Sequence, residues 1–331
     1  MVIVTGATGH IGNVLVRELL AEGAVVRVLV LPDDDKRPLA GLNVEIVYGD
    51  VTDLVSLKSA FAGAEFVLHL AGIVTIMPGM ASALERVNVG GMRTVIAACR
   101  ASGVHRLVYT SSIHAIAEPP RGTVIDESQP FDPDRVLGDY ARSKARATLL
   151  LLDEVSKGGL DAVVCCPTGV IGPWDYGISN IGQLILDFAS GHLKSYVSGA
   201  YDFVDVRDVA RGLILAAEKG QPGRHYIFSG TQVDVPELMK ELARSIGYPA
   251  PTYRIPTVIA RTAGTLASMY YRLLRRKPVF TAYSIDVLRS NSLVSSARAR
   301  EELGFTSRPW QESIRDHVEW FRTEGMLPAR R

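Results

Sequence analysis

The feature that most constrains this chain is the turn with which it opens. Val2-Ile3-Val4 reads as a short buried strand, and Ile11–Ala21 reads as a helix with Val14, Leu15 and Leu19 on one stripe. Between them lies Thr5-Gly6-Ala7-Thr8-Gly9-His10-Ile11-Gly12. In a strand-to-helix turn, Gly6 permits the tight bend, Gly9 lets the backbone approach a pyrophosphate, and Gly12 lets the helix pack on the strand. The phosphates then meet the unpaired N–H groups of a helix N-terminus. The spacing, G-x-x-G-x-x-G, is one residue longer than the common G-x-G-x-x-G.

The strand–helix alternation continues along the chain. Strands are expected at Val25–Leu31, Val44–Tyr48, Glu65–Leu70, Arg106–Thr110 and Ala162–Cys166, with helices at Leu54–Phe61, Met80–Arg100 and Asp139–Ser156. Continuous apolar strands separated by helices imply a parallel sheet covered on both faces, with ligands outside the carboxyl ends of the strands. After Pro167 helical patterns dominate: Ile181–Ser190, Val206–Lys219, Pro236–Ile246, Thr257–Arg275, Arg298–Leu303 and Trp310–Arg322. The expected division is a sheet domain over 1–170 and a smaller, mostly helical substrate lobe over 171–331, with later segments free to interleave with the sheet.

Composition removes several alternatives. With 47% hydrophobic residues the chain is too apolar for disorder, and 36 Lys+Arg against 35 Asp+Glu leaves no basic surplus for nucleic acid. Three cysteines cannot build a disulfide framework, so a reducing, cytoplasmic setting is expected. No apolar run approaches the roughly 18 residues of a membrane span. The best candidate, Ile255–Leu274, is interrupted by Arg261 and Arg272. No metal site is expected, since His10, His69 and His105 are scattered and none pairs with a cysteine at ligand spacing. Arg275-Arg276-Lys277 reads as a solvated patch.

Tyr140-Ala141-Arg142-Ser143-Lys144 places a tyrosine and a lysine one helical turn apart on a single face. Of the 12 tyrosines, only Tyr140 has lysine four residues on. A free tyrosine, with pKa about 10, exchanges protons poorly at neutral pH, and a neighbouring ammonium lowers that value. The pair is therefore suited to proton transfer.

With these motifs in order, the chain resembles the extended branch of the short-chain dehydrogenase/reductase superfamily, also described as NAD-dependent epimerase/dehydratase-like. The resemblance spans nearly the whole chain. It rests on the glycine turn, Gly49-Asp50-Val51-Thr52-Asp53, Leu70-Ala71-Gly72, Asn88-Val89-Gly90-Gly91, the Tyr140/Lys144 pair, Pro167-Thr168-Gly169-Val170-Ile171-Gly172-Pro173, and Phe203-Val204-Asp205-Val206-Arg207-Asp208-Val209-Ala210. It implies a Rossmann-type doubly wound α/β fold. It also implies an NAD(P)-dependent oxidoreductase acting on CH–OH/C=O groups through Ser112, Tyr140 and Lys144. Ser111 is the alternative serine. Asn88 either joins a proton relay or bonds the backbone. The implied cofactor contacts are Gly6, Thr8, Gly9, His10, Ile11 and Gly12; Leu31, Asp33 and Lys36; Asp50 and Val51; Leu70, Ala71 and Gly72; Tyr140 and Lys144; and Pro167, Thr168, Gly169 and Val170. Substrate contacts are expected at Ile73, Val74, Ile113, His114 and Tyr176. Family members often dimerise through helices equivalent to Met80–Arg100 and Asp139–Ser156, so a homodimer is expected.

Which dinucleotide is bound turns on the end of the second strand. A carboxylate there binds the ribose of NAD, and an arginine accommodates the phosphate of NADP. Here Leu31-Pro32 replaces that arginine, Asp33, Asp34 and Asp35 come next, and then Lys36 and Arg37. The balance favours NAD. On the substrate side, sugar-nucleotide enzymes often carry arginine before Asp-Phe-Val to bind a diphosphate, and this chain has Tyr201 there. The apolar stretch Ile73-Val74-Thr75-Ile76-Met77, Lys277-Pro278 and Ser296-Ala297-Arg298 agree with enzymes resembling dihydroflavonol and 3β-hydroxysteroid reductases. The expected activity is thus reduction of an apolar aldehyde or ketone. The alternatives are sugar-nucleotide epimerisation or dehydration, and a dinucleotide sensor without catalysis.

Overall fold

The structure, a computed structural model, describes residues 1–75, 79–257, 259 and 290–327. Its centre is a seven-stranded parallel sheet in the order β10-β6-β5-β4-β1-β2-β3. These strands are β1 (Val2–Thr5), β2 (Val26–Val30), β3 (Glu45–Tyr48), β4 (Phe66–His69), β5 (Arg106–Thr110), β6 (Ala162–Pro167) and β10 (His225–Phe228). The central strands are apolar along their length because both faces are covered, and every residue of β6 is buried. One face packs on α2 (Leu54–Phe61), α4 (Gly91–Ser102) and α5 (Gly138–Ser156), the other on α1 (His10–Ala21) and α7 (Val206–Lys219).

Strand order reverses between β1 and β4, which flank each other in register Thr5 to His69. Chains leaving β1 and β4 turn to opposite faces there, opening a crevice at the carboxyl edge. Gly6 and Ala71 meet in that crevice. A Cβ on Gly6 (φ +72°) would lie 2.7 Å from the Ala71 nitrogen, so only glycine closes the switch point this tightly.

The remaining elements form the lobe and its connections. They are β7 (Gly169–Ile171), α6 (Asn180–Ala189), β8 (Ser195–Tyr196), β9 (Ala200–Asp205), β11 (Thr231–Asp234), α8 (Val235–Ile246), β12 (Tyr253–Arg254) and α9 (Trp310–Thr323). A small sheet, β11-β9-β7, joins the lobe to the main sheet. A separate core of Ile185, Phe188, Leu238, Leu242, Ile314 and Phe321 holds α6, α8 and α9 together. The chain beyond residue 171 thus serves both layers, since α7 and β10 return to the main sheet. The segment Val206–Ala210 is held by charge. Asp205 caps α7 through the Arg207 N–H at 2.8 Å, Arg207 also pairs with Asp316 at 2.7 Å, and Arg308 pairs with Asp208 at 2.8 Å.

Two expectations are revised. The single helix over Met80–Arg100 is instead α3 (Ala81–Leu84), a π-helical turn over Glu85–Gly90, and α4. That turn contains Asn88, and π turns of this kind are frequent at functional sites. The lobe also carries strands β7, β9 and β11, whose short runs near Gly172 and Gly230 lacked a readable period. The expected helix over Thr257–Arg275 lies almost wholly outside the described residues, as do Ile76, Met77, Arg275-Arg276-Lys277 and Lys277-Pro278.

Candidate active site

Helix α1 begins at His10 with Gly9 as its N-cap, and neither a side-chain cap nor an acidic residue occupies its first turn. Its first N–H groups therefore remain available to an anion. A Cβ on Gly12 would sit 2.0 Å from the Gly6 carbonyl oxygen, and one on Gly9 would sit 3.3 Å from the same atom. The turn is thus compacted to backbone, which is what a diphosphate cradle requires. Ile11 packs against the core beneath.

At the end of β2 the structure distinguishes the three aspartates. Asp34 reaches back to the glycine turn, where its Oδ2 accepts from the Thr8 hydroxyl at 3.1 Å and from the Leu31 N–H at 3.3 Å. Asp33 is exposed, and Asp35 is spent on the Arg37 guanidinium at 2.7 Å. The Lys36 ammonium donates to the Pro32 carbonyl at 3.0 Å and lies over the Tyr48 ring at 5.1 Å. Asp50 closes a local turn by accepting from the Thr52 N–H at 2.8 Å, and Val51 is buried against Gly91.

Strand β5 and helix α5 carry the candidate catalytic groups. Lys144, 4% exposed, donates to the Thr110 carbonyl at 2.8 Å, with its ammonium 4.8 Å from the Tyr109 ring centre. Burial pulls its pKa down to about 8. Tyr140 stands one turn earlier and half-buried. The buried phenol of Tyr109 below is raised first by its own burial and then by the neighbouring Tyr140. His69, pushed down to about 3 by burial and by Lys144, stays neutral and shares a 2.8 Å hydrogen bond with the Thr5 hydroxyl.

The two candidate serines separate clearly. Ser111 shares a 2.8 Å hydrogen bond with the Thr148 hydroxyl, and Thr148 donates to the Lys144 carbonyl at 2.8 Å, so Ser111 fastens β5 to α5. Ser112 caps the short turn Ile113–Ala115 by accepting from the His114 N–H at 3.2 Å. Asn88 is fully engaged. Its Oδ1 accepts from the Ile73 N–H at 2.8 Å, while its Nδ2 donates to the Ile73 carbonyl at 3.0 Å and to the Ser143 hydroxyl at 2.9 Å. A Cβ on Gly72 would lie 3.0 Å from Asn88 Oδ1 and 3.8 Å from Lys144 Nζ, which shows how closely these groups converge.

Beside this cluster is a pocket lined by Ile113, His114, Ile116, Ile125, Val136, Leu137, Thr168, Tyr201 and Asp202, with Glu118 and Arg135 also on its wall. Tyr201 and His114 Nε2 share a hydrogen bond of 2.7 Å, and burial holds His114 down to about 4 and therefore neutral. Asp202 is raised to about 6 by burial, against hydrogen bonds from Thr168 and the Gly230 N–H. A Cβ on Gly169 would lie 2.5 Å from the Tyr201 ring, so glycine there seats the tyrosine. Pro167 ends β6 opposite Phe228, and Val170 pairs with Val204. Of the expected substrate residues, Ile113 and His114 line the pocket. Ile73 is held by Asn88, Val74 is 72% exposed, and Tyr176 packs on Trp320 in the lobe core at 5.0 Å. Asp34 and Asp202 are additions to the expected site residues, and Tyr201, already singled out on the substrate side, joins them in lining the pocket with Asp202. The triplet Asp33–Asp35 signalled the first without selecting it.

A family model described as the NAD dependent epimerase/dehydratase family matches residues 2–228. The chain belongs to the NAD-dependent epimerase/dehydratase family. Within it, the chain is 37% identical to the Sterol demethylase protein B of Methylococcus capsulatus, covering 98% of this chain and 99% of that protein. It is 29% identical to the 4-hydroxy-2-methyl-3-oxo-4-farnesyl-3,4-dihydroquinoline-1-oxide ketoreductase of Stigmatella aurantiaca, covering 92% and 91% respectively. The crystal structure of gox2253 superposes with a TM-score of 0.87 at 30% identity, covering 99% of both chains. No metal-binding group of His, Cys, Asp or Glu occurs among the described residues, and no described helix is long and apolar enough to cross a membrane.

Proposed function

We propose that this family member reduces the carbonyl of a small apolar substrate with a nicotinamide dinucleotide, using Ser112, Tyr140 and Lys144. The carrying observation is the buried Lys144 ammonium, fixed to the Thr110 carbonyl at the carboxyl edge of the sheet, one turn from Tyr140. The uncapped glycine turn fits a dinucleotide diphosphate, and the bound dinucleotide supplies the hydride. Tyr140 donates a proton to the substrate oxygen, and the Lys144 charge favours the phenolate and so makes that proton easier to give up. The Ser112 hydroxyl, whose oxygen already accepts from the His114 N–H, keeps its own proton to orient the carbonyl oxygen. Asn88 positions the Ile73 backbone and Ser143 rather than relaying protons, since its amide groups are committed to those bonds.

NAD is the proposed partner. The Asp34 carboxylate stands between the second strand and the glycine turn, and Asp35 occupies Arg37, so a ribose phosphate would meet a negative charge. The apolar part of the pocket wall, Ile113, Ile116, Ile125, Val136 and Leu137, supports an apolar ketone or aldehyde, and the relatives named for sterol and farnesyl-quinoline chemistry point the same way. Where sugar-nucleotide enzymes often carry arginine, Tyr201 pairs with neutral His114 and supplies no cation, which leaves Arg135, among the described residues, as the cation on the wall of this pocket. The test is a panel of steroid and aromatic ketones with NADH, beside thermal-shift binding of UDP-glucose. Ketone-dependent NADH oxidation with no UDP-glucose shift supports the reading, and a strong UDP-glucose shift without ketone turnover overturns it.

A further inference from the structure

The pocket beside the candidate catalytic groups has an apolar side and a polar end. Ile113 directly follows Ser112, and Leu137, the N-cap residue of α5, stands three residues before Tyr140, so the pocket adjoins the groups that would meet a carbonyl. The polar end is built by Thr168 and by Tyr201 and Asp202 of β9. Strand β9 is paired on both sides, with β11 through Asp202 and Gln232 and with β7 through Phe203 and Gly169, so these side chains stand on a fixed element.

Asp202 is 4% exposed and differs from its buried counterparts. Asp175 lies 3.4 Å from His317, Asp205 2.7 Å from Arg207 and Asp208 2.8 Å from Arg308. Asp202 has no basic partner among the described residues. Its Oδ1 accepts from the Gly230 N–H at 3.0 Å, and it shares the Thr168 hydroxyl, which also points to the Phe228 carbonyl at 3.3 Å. One hydroxyl proton cannot fill both acceptors, and an ionised carboxylate offers roughly four acceptor positions. Asp202 therefore keeps acceptor capacity that the protein does not fill. Burial raises its carboxyl to about 6, so it is still ionised at neutral pH. A buried carboxylate gains from each further donor it receives.

We propose that Asp202 is a specificity-determining residue that accepts a hydrogen bond from a hydroxyl on the substrate. The substrate class is then an apolar ketone or aldehyde that bears a hydroxyl at the end away from the reacting carbonyl. The inference rests on the reductase reading of the site. The apolar side chains Ile113, Ile116, Ile125 and Val136 hold the body of such a molecule, with the carbonyl toward Ser112 and Tyr140 and the hydroxyl toward β9. A neutral hydroxyl fits better than an ammonium, because the Arg135 guanidinium shares the pocket wall and the apolar side would strip water from a second charge.

The test measures binding to the full chain in the presence of NAD⁺. The probes are benzylacetone with its para-hydroxy, para-methoxy and para-aminomethyl derivatives, and a ketosteroid pair with and without a hydroxyl at the end away from the carbonyl. In the wild type, the hydroxyl member of at least one series should bind about tenfold or more tighter than its parent, the scale of a hydrogen bond to a charged group. The methoxy ether, which only accepts, gains nothing. In Asp202→Asn the amide oxygen stays on the Gly230 N–H and the amide N–H groups turn to the pocket, so the hydroxyl preference falls by about tenfold and the ether gains. The parent ketones bind alike in both proteins, whereas a merely structural role would weaken every ligand together. A hydroxyl preference in neither series, a preference that survives Asp202→Asn, or tightest binding of the aminomethyl derivative overturns the proposal. If Asp202→Asn does not fold, the carboxyl ¹³C shift of Asp202 in the wild type decides, since it must move with the hydroxyl member and not with the ether. If none of the ketones is reduced with NADH, the reductase reading falls, and the order of binding still tests Asp202 on its own.

Discussion

Replacing Lys144 with methionine should stabilise the unliganded protein while removing its turnover. The ammonium is 4% exposed, and burial lowers its pKa from 10.5 to about 8. At 1.36 kcal/mol per pKa unit, keeping it charged at neutral pH costs about 3 kcal/mol of folding stability. Methionine removes that cost but leaves the Thr110 carbonyl without its donor, returning roughly 1–2 kcal/mol. The net gain is on the order of 1–2 kcal/mol, which for a chain of this size raises Tm by about 1.5–3 °C. The pH dependence has a definite sign. The folded pKa lies below the unfolded one, so between pH 8 and 10.5 the unfolded state holds more protons, and wild-type stability gains with rising pH from this group. The advantage of Lys144→Met is therefore largest below pH 8 and shrinks toward pH 10. Thermal melts of both proteins across that range, without dinucleotide, provide the assay. A variant less stable than wild type by the same margin at every pH would refute the reasoning.

Other consequences are equally direct. Ser112→Ala should lower kcat/KM by about a hundredfold or more and, through the lost cap, cost about 1 kcal/mol of stability, whereas Ser111→Ala, which breaks the link to Thr148, should cost about the same stability and spare most of the activity. Asp34→Ser should narrow or reverse the preference for NADH over NADPH, read as the ratio of the two dissociation constants, because the carboxylate bonded to Thr8 is removed. Gly12→Ala should abolish dinucleotide binding, or folding altogether, since its Cβ would stand 2.0 Å from the Gly6 carbonyl oxygen; normal NADH binding by this variant would contradict the packing described.

Much of the architecture was legible because it rests on short-range rules. Apolar strands, helical stripes and the glycine turn announce a parallel sheet, and Tyr140 with Lys144 announces a shared helix face. The unread parts depend on distance in the chain. Strand β10 is short and joins the sheet only by pairing with β6, more than fifty residues earlier, which no local period encodes. The π turn at Glu85–Gly90 keeps a helical sequence pattern while shifting Asn88 onto Ile73. Asp33, Asp34 and Asp35 are equivalent as letters, and only the fold turns Asp34 toward Thr8 and spends Asp35 on Arg37. Tyr176, expected at the substrate, packs edge-on against Trp320 from the far end of the chain, a contact that no local pattern announces. His317 carried no sequence signal, since its partner Asp175 is met only in three dimensions.

The central claim is that Tyr140 transfers the proton while the glycine turn and Lys144 hold the dinucleotide. Tyr140→Phe tests it with the least disturbance, because only a hydroxyl is removed. Carbonyl-dependent NADH oxidation is predicted to fall by about a thousandfold, within the range for loss of a general acid, while the dissociation constant for NADH changes by less than about threefold. Turnover retained within about tenfold of wild type, at normal cofactor affinity, would contradict it.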